Sequence, residues 1–418
     1  MGFLYNFFIS IFNALLPAIG LLSPKLKLFV DGRKEVFKIL KTNISDNDQV
    51  IWFHCASLGE YEQGVPVMEG LKKKYPDYIL LVTFFSPSGY EVKKNSTLAD
   101  IIVYLPIDTI KNANNFVTLV QPKLTVFVKY EFWPNYLKTL QRNAVPITII
   151  SASFREDQTF FKWYGGFMRS ALKTVNHFFV QDTISEQLLD KIGFTNVSVS
   201  GDTRFDRVSH QIEMNNQVDF ISEFIDDRLC VVIGSSWSED EEVFVDYVNQ
   251  STEEVCFIIA PHEIKDTGVD RLRQKIAKKT VLFSEKDGKS LKDHQVFIMN
   301  TIGYLSRVYS YGDIAYVGGA MGTSGLHNIL EPATFGIPII IGKHFEKFRE
   351  ARQLQKLAGL FSISNASEFS AIMNKLIDNK NFRQQTGMIA GHFINSNTGA
   401  TDMILKHLIQ EVDDTLKQ

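Results

Sequence analysis

The residues best suited to chemistry lie in one stretch, Val317-Gly318-Gly319-Ala320-Met321-Gly322-Thr323-Ser324-Gly325-Leu326-His327-Asn328-Ile329-Leu330-Glu331-Pro332. An apolar strand ends in a glycine pair, and a glycine-containing loop then leads into a helix expected to begin near Asn328. Glycines such as Gly318, Gly319 and Gly325 let backbone N–H groups approach a phosphate closely, and a helix N-terminus adds positive partial charge. Glu331, placed one turn into that helix, offers a pure acceptor for ribose hydroxyls. The run Glu331–Pro338 then returns tightly to the next strand. A purely structural reading of the same letters is a glycine turn, a capping Asn328 and a solvated Glu331. Ser235 and Ser236, at the end of another apolar run, are further hydroxyl donors for a phosphate.

Elements that could hold such a loop alternate along the chain. Short apolar runs are expected as strands at Val50–Ala56, Tyr78–Phe84, Ile101–Leu105, Leu124–Val128, Ile147–Ser151, Phe178–Gln181 and Val197–Ser200. A second series follows at Leu229–Gly234, Val255–Ala260, Val281–Phe283, Val296–Met299, Ile314–Val317 and Ile337–Ile341. Helix-like stretches separate them, among them Glu60–Lys74, Ile184–Ile192, Ser238–Val248 and Leu330–Phe335. Buried β-branched runs alternating with helices imply parallel sheets covered on both faces. The segment Arg207–Val218 is polar and without periodicity, so the domain boundary is placed there. The fold class is therefore α/β, with two Rossmann-like domains and a deep interdomain cleft. Residues 41–207 form the first domain and 208–418 the second, the last helix being free to pack back on the first.

Composition agrees with a folded globular chain: 418 residues, 45% hydrophobic and 22% charged, with a formal net charge of -3. No long run of like charge invites nucleic acid. Cys55, Cys230 and Cys256 sit in apolar runs without metal or disulfide spacing, as buried thiols in a reducing compartment do. The first 24 residues carry no charged side chain and are about long enough to cross a hydrocarbon core. Asn6, Asn13 and Pro17 weaken them as a span. Lys25, Lys27, Arg33 and Lys34 follow directly, which keeps the rest of the chain cytoplasmic. Residues 1–40 are read as a hydrophobic, membrane-associated segment, lying in the leaflet or crossing it. A helix packed on the chain's own core is the competing reading. Lys162 and Arg169, beside Trp163 and Phe167, could meet lipid phosphates or simply line a solvated helix face.

Gly318-Gly319, His327-Asn328 and Glu331-Pro332 resemble the nucleotide-binding signature of B-type-fold glycosyltransferases, and in detail that of the 3-deoxy-D-manno-octulosonic acid (Kdo) transferases. Further matches run in order along the chain: Ser57-Leu58-Gly59-Glu60, Thr83 to Gly89, Leu105-Pro106-Ile107-Asp108, Glu131-Phe132-Trp133-Pro134-Asn135, Gly201-Asp202-Thr203-Arg204-Phe205-Asp206 and Gly234-Ser235-Ser236. The charge-free N-terminus ending in Gly32-Arg33-Lys34 is also similar.

The resemblance implies an inverting transfer of Kdo from CMP-Kdo to a lipid A precursor (lipid IVA) at the cytoplasmic face of the inner membrane, with no metal and no cofactor. It makes Glu60 the general base; read alone, Glu60 is a helix-terminal carboxylate complementing the dipole. Glu131 is a second catalytic candidate, or else a first-turn glutamate beside Pro134. Lys129 stands where the family usually shows an acidic residue, which removes a paired-carboxylate role. Arg204 occupies a nucleotide-facing basic position, with an interdomain salt bridge as its alternative. Donor contacts are expected from Arg204, Ser235, Ser236, Gly318, Gly319, Gly325, His327, Asn328 and Glu331. Acceptor contacts are expected from Ser57, Thr83, Ser88 and Gly89. Trp237 and Pro261 replace the family's histidine and arginine, and Leu326 replaces a glycine. His262, beside Pro261, reads equally as a capping or packing residue. A UDP-sugar 2-epimerase on the same fold, or a non-catalytic membrane-bound nucleotide-sugar binder, are the rival readings.

Overall fold

A computed structural model describes residues 2–129 and 131–415 of the chain. Two compact units emerge, one of residues 1–207 with 398–418 and the other of residues 208–397. Each is built on a seven-stranded parallel sheet.

In the first unit the strands are β1 (Val50–Cys55), β2 (Ile79–Phe84), β3 (Ile101–Tyr104), β4 (Leu124–Val128), β5 (Ile147–Ala152), β6 (His177–Val180) and β7 (Val197–Val199). Their order is β3-β2-β1-β4-β5-β6-β7. The central strands are buried along their whole length because helices cover both faces, which explains their unbroken apolar runs. One face packs around Trp52, Phe116, Phe127 and Tyr136, and the other around Phe53, Met68, Val126 and Ile150. The chain leaves β1 to one side for β2 and β3, then returns to the other side for β4. The carboxyl ends of β1 and β4 thus flank a topological switch point, the usual ligand position in such sheets.

The second unit repeats the plan with β8 (Leu229–Ser236), β9 (Val255–Pro261), β10 (Thr280–Leu282), β11 (Val296–Ile298), β12 (Ile314–Val317), β13 (Ile339–Gly342) and β14 (Leu360–Ile363). Their order is β10-β11-β9-β8-β12-β13-β14, with its own switch point between β8 and β12.

Two differences from the sequence reading stand out. β14 was not anticipated: its four residues, Leu360 to Ile363, include Ser362 and a half-exposed centre, too short and mixed to signal a strand. The boundary segment is not structureless, since one helix runs Thr203–His210 and a 3-10 turn follows at Gln211–Glu213. The final helix, Ala400–Thr415, belongs to the first unit, burying Ile404, Leu408 and Val412 against its sheet.

The N-terminal helix Gly2–Ile19 is not a core helix, because only Leu16 on it is buried. Phe3, Leu4, Phe7, Phe8 and Leu15 are exposed. Its polar residues are what tie it down: Tyr5 donates to Asp108 Oδ2 at 2.7 Å, and Asn135 Nδ2 donates to Asn6 Oδ1 at 2.8 Å. Burial, only partly offset by the Tyr5 hydroxyl and the Asn135 and Tyr136 N–H donors, pushes the Asp108 carboxyl up to about 6.

Candidate functional site

At the switch point of the first unit, β1 runs directly into a helix, Leu58–Lys74. Ser57 is its N-cap and Glu60 its N3 residue, the reciprocal arrangement of a capping box. The Ser57 N–H donates to Glu60 Oε2 at 3.0 Å, and the Ser57 hydroxyl donates to the same oxygen. Glu60 Oε1 lies 3.4 Å from Lys129 Nζ at the end of β4. Burial pushes the Glu60 carboxyl up, but the Lys129 charge and the Ser57 hydrogen bonds outweigh it and hold it below the usual range. Glu60 is therefore ionised at neutral pH and has two fixed partners. This geometry is that of a helix-capping carboxylate, placed just past the carboxyl end of β1.

Glu131 sits over His54, with Oε2 3.8 Å from His54 Nε2. That nitrogen also accepts from Trp133 Nε1–H at 3.1 Å, which places the imidazole proton on Nδ1, facing Thr83 Oγ1 at 2.9 Å. Trp52 Nε1–H donates to the same hydroxyl at 2.8 Å. The register of β1 on β2 explains the meeting, since His54 is paired with Thr83. Thr83 is consequently fully buried, and it supports the site from beneath instead of touching an acceptor. Ser88 is exposed, its Oγ 2.9 Å from Ser86 Oγ. A Cβ on Gly89 would come within 2.3 Å of the Phe84 ring and 2.9 Å of the Ser57 carbonyl carbon. Only glycine lets the β2 turn press on the β1 turn, so Gly89 gathers Ser57 and Ser88 on one side of the sheet.

Arg204 lies beside this group through the helix Leu58–Lys74. Gln63 of that helix donates to Asp202 Oδ1 at 3.0 Å, and Arg204 Nε donates to Asp202 Oδ2 at 2.9 Å. Burial alone would raise the Asp202 carboxyl, but the adjacent guanidinium holds it low. Arg204 Nη2 also lies 2.8 Å from Asp202 Oδ2, an ion pair made two residues apart within the first unit.

In the second unit the switch point is made by Ser235-Ser236 at the end of β8 and Gly318-Gly319 after β12. Asp240, the N3 residue of the helix Ser238–Gln250, ties them together. Its Oδ2 accepts the N–H of Trp237 at 2.8 Å and that of Gly319 at 2.9 Å, while Tyr316 donates to Oδ1 at 2.7 Å. Gly319 has φ 94°, and a Cβ there would lie 2.1 Å from the Gly325 carbonyl oxygen. No other residue fits this turn without moving the loop. Ser235 carries φ 53°. Ser236 Oγ is buried with no hydrogen-bond partner among the described residues.

Ser235, His327, Asn328 and Glu331 line one cavity of about 310 Å³ together with Gly303, Leu305, Ser306 and Tyr309. The helix behind it is shorter than expected, spanning only Leu330–Thr334, so Glu331 is in its first turn and not one turn in. Asn328 caps it: Oδ1 accepts the Leu330 N–H at 3.1 Å, and Nδ2 donates to Glu331 Oε1 at 3.1 Å. Trp237 stacks on His262 with ring centroids 4.4 Å apart, and His262 lies 4.4 Å from His327. Trp237 Nε1–H donates to His327 Nε2 at 3.2 Å. Burial, then the His262 ring, lowers His327 to about 4, and burial also lowers His262. Both rings are neutral at pH 7 and add no cation. Trp237 thus holds His327 at the edge of the glycine loop.

Asp240, Tyr309 and the Gly303–Ser306 turn escaped the sequence reading. Asp240 had a signal, its N3 position behind the Ser235-Ser236 turn, but its partner Gly319 is 79 residues away.

Residues 31–207 match the family model of the 3-deoxy-D-manno-octulosonic-acid transferases. The chain is 26% identical over 406 residues to a 3-deoxy-D-manno-octulosonic acid transferase of Haemophilus influenzae, covering 93% of each. It is 25% identical over 417 residues to a bifunctional glycosyltransferase/methyltransferase of Fusobacterium nucleatum, covering 94% of this chain but only 62% of that protein's length. Among solved structures, a UDP-GlcNAc 2-epimerase from Neisseria meningitidis superimposes with a TM-score of 0.62 at 13% identity, over 87% of this chain and all of the other. That likeness concerns the fold. Taken with the paired parallel-sheet units, these matches make the chain a glycosyltransferase of the B-type fold, similar along most of its length to the Kdo transferases.

Proposed function

We propose that the protein transfers Kdo from CMP-Kdo to a lipid A precursor such as lipid IVA, with inversion and without a bound metal, at the cytoplasmic face of the inner membrane. The cavity holding Ser235, Asn328 and Glu331 carries this reading, because it sets the Ser235 hydroxyl and the Glu331 carboxylate around one nucleotide-sized space. In the proposal the second unit, residues 208–397, takes the donor and the first takes the acceptor. Gly325 offers a loop amide to the phosphate, Glu331 accepts from the ribose, and Arg204 meets an anionic group.

The reaction joins the acceptor oxygen to the anomeric carbon of Kdo as the bond from that carbon to the CMP phosphate oxygen breaks. The hydroxyl proton passes to Glu60, whose ionised carboxylate is ready to receive it. CMP leaves with the electron pair on its phosphate. Glu131, next to His54, orients the acceptor.

The exposed face of the helix Gly2–Ile19 supports residence at a lipid surface, and Trp163, 91% exposed, extends the apolar area. Among the described residues this is the one helix long and apolar enough to cross a membrane. The deciding experiment combines purified protein, CMP-Kdo and lipid IVA, with products weighed by mass spectrometry. The acceptor should gain the mass of one or more Kdo residues. Conversion of UDP-N-acetylglucosamine instead, with no transfer, would replace this reading by the epimerase one.

A further inference from the structure

Lys129 is the first residue after β4, and its backbone adopts φ 68°. A left-handed conformation is uncommon for a long side chain and costs on the order of 1–3 kcal/mol unless the surroundings impose it. Here the surroundings do: the Lys129 N–H continues the sheet ladder to the Ile150 carbonyl at 2.8 Å. The turn delivers Nζ to within 3.4 Å of Glu60 Oε1, with the two side chains only 27% and 12% exposed. The other Glu60 oxygen is held by Ser57. Each oxygen of the carboxylate thus has its own directed partner, one from each strand that borders the switch point.

We propose that Lys129 is a positioning residue of the transfer site, whose ammonium orients the Glu60 carboxylate and keeps it ionised until an acceptor hydroxyl arrives. The proposal rests on Glu60 being the base. With an acid at that position the site would have two carboxylates competing for one proton; with Lys129 it has one carboxylate and a fixed counter-charge.

The other charged groups nearby do not substitute for Lys129. His54 and Cys55 lie on β1, with His54 turned to Glu131 and Trp133, and the buried Cys55 thiol raised by burial and by both Glu60 and Glu131. Glu62, two positions on, takes both Lys93, at 3.0 Å, and Arg207. Without Lys129, burial of Glu60 is opposed only by Ser57 and the helix N-terminus. The sign follows: without Lys129 the Glu60 carboxyl rises, so the base becomes protonated at a higher pH than in the wild type.

The test uses the full-length protein with Lys129→Met and Lys129→Arg beside Glu60→Gln. Titration of the isotope-labelled Glu60 side-chain carboxyl by NMR should move to higher pH in Lys129→Met and return toward wild type in Lys129→Arg. The acidic limb of the kcat/KM profile should move with it, giving a severalfold loss at mildly acid pH and little change at mildly alkaline pH. An unmoved Glu60 titration in Lys129→Met overturns the proposal by itself. A uniform rise in KM at every pH, with the limb unmoved, overturns it by making Lys129 a substrate contact. A titration that moves while Glu60→Gln still turns over overturns the reading of Glu60 as base, and with it the role of Lys129 in transfer.

Discussion

At the scale of single residues, the two carboxylates with proposed roles differ in what holds them, and this sets what their removal does. Glu60→Gln keeps the size and part of the capping box while removing the base. Turnover should fall by at least about a hundredfold, since general-base catalysis contributes roughly 10²–10⁴. Donor affinity, assigned to the other unit, should stay unchanged in calorimetry. Stability carries a second signature. The folded carboxyl is held low, so Glu60 stabilises the protein at neutral pH and loses that contribution as pH falls through its folded pKa. The melting temperature of Glu60→Gln should therefore approach that of wild type as the solution is acidified. Glu331→Ala acts on binding instead. Loss of a charge-assisted hydrogen bond should cost about 1.5–3 kcal/mol, or roughly ten- to a hundredfold in CMP affinity. A folded variant with wild-type affinity would take Glu331 out of the site.

At the scale of elements, the proposed donor loop is a strained turn tied to a helix start. Asp240 receives the N–H of Gly319 and of Trp237, and Trp237 in turn holds His327, so one buried carboxylate joins β8, β12 and the loop. Gly319 cannot be exchanged cheaply in this setting. Gly319→Ala places a methyl 2.1 Å from a backbone oxygen at φ 94°. Strain of about 1–3 kcal/mol should either lower the melting temperature or push the loop away from Asp240. Both outcomes weaken CMP binding, and circular dichroism melts with calorimetry tell them apart. Wild-type stability together with wild-type affinity would mean that this turn is not the donor loop.

At the scale of the whole molecule, both ends of the chain contribute to the first unit. The helix Ala400–Thr415 buries Ile404, Leu408 and Val412, and Tyr75 donates to Asp413 at 2.8 Å. Exposing three aliphatic side chains costs roughly 5–9 kcal/mol, which rivals the stability of an ordinary domain. A chain ending at Asn397 should therefore fail to melt cooperatively in its first unit, while the second, which holds the proposed donor cavity, still binds CMP. The other end behaves oppositely. Deleting residues 1–24 removes an exposed apolar face and a few polar ties, so the protein should move from membrane to soluble fraction with donor binding intact. Activity on a detergent-dispersed acceptor should survive better than activity on bilayers. Aggregation or unfolding of the shortened chain would argue against a membrane role for the segment.

Much of this protein is local information. Buried β-branched runs such as Leu124–Val128 declare strands, and a glycine-rich stretch between a strand and Glu331 declares a ligand loop. An uncharged N-terminus declares an apolar helix, because period and composition are properties of neighbouring residues. Order along the chain then aligned Ser57–Glu60, Arg204 and Gly318–Glu331 with a known family. What remained hidden depends on partners distant in sequence. Nothing near Lys129 says that its ammonium meets Glu60, nor near Thr83 that two aromatic rings claim its hydroxyl. The last helix reads equally well as part of either domain, and only packing against the first sheet assigns it. Those choices rest on strand order and register, which bring side chains together from opposite sides of a switch point. A sequence lists such residues far apart, and tertiary structure alone makes them neighbours.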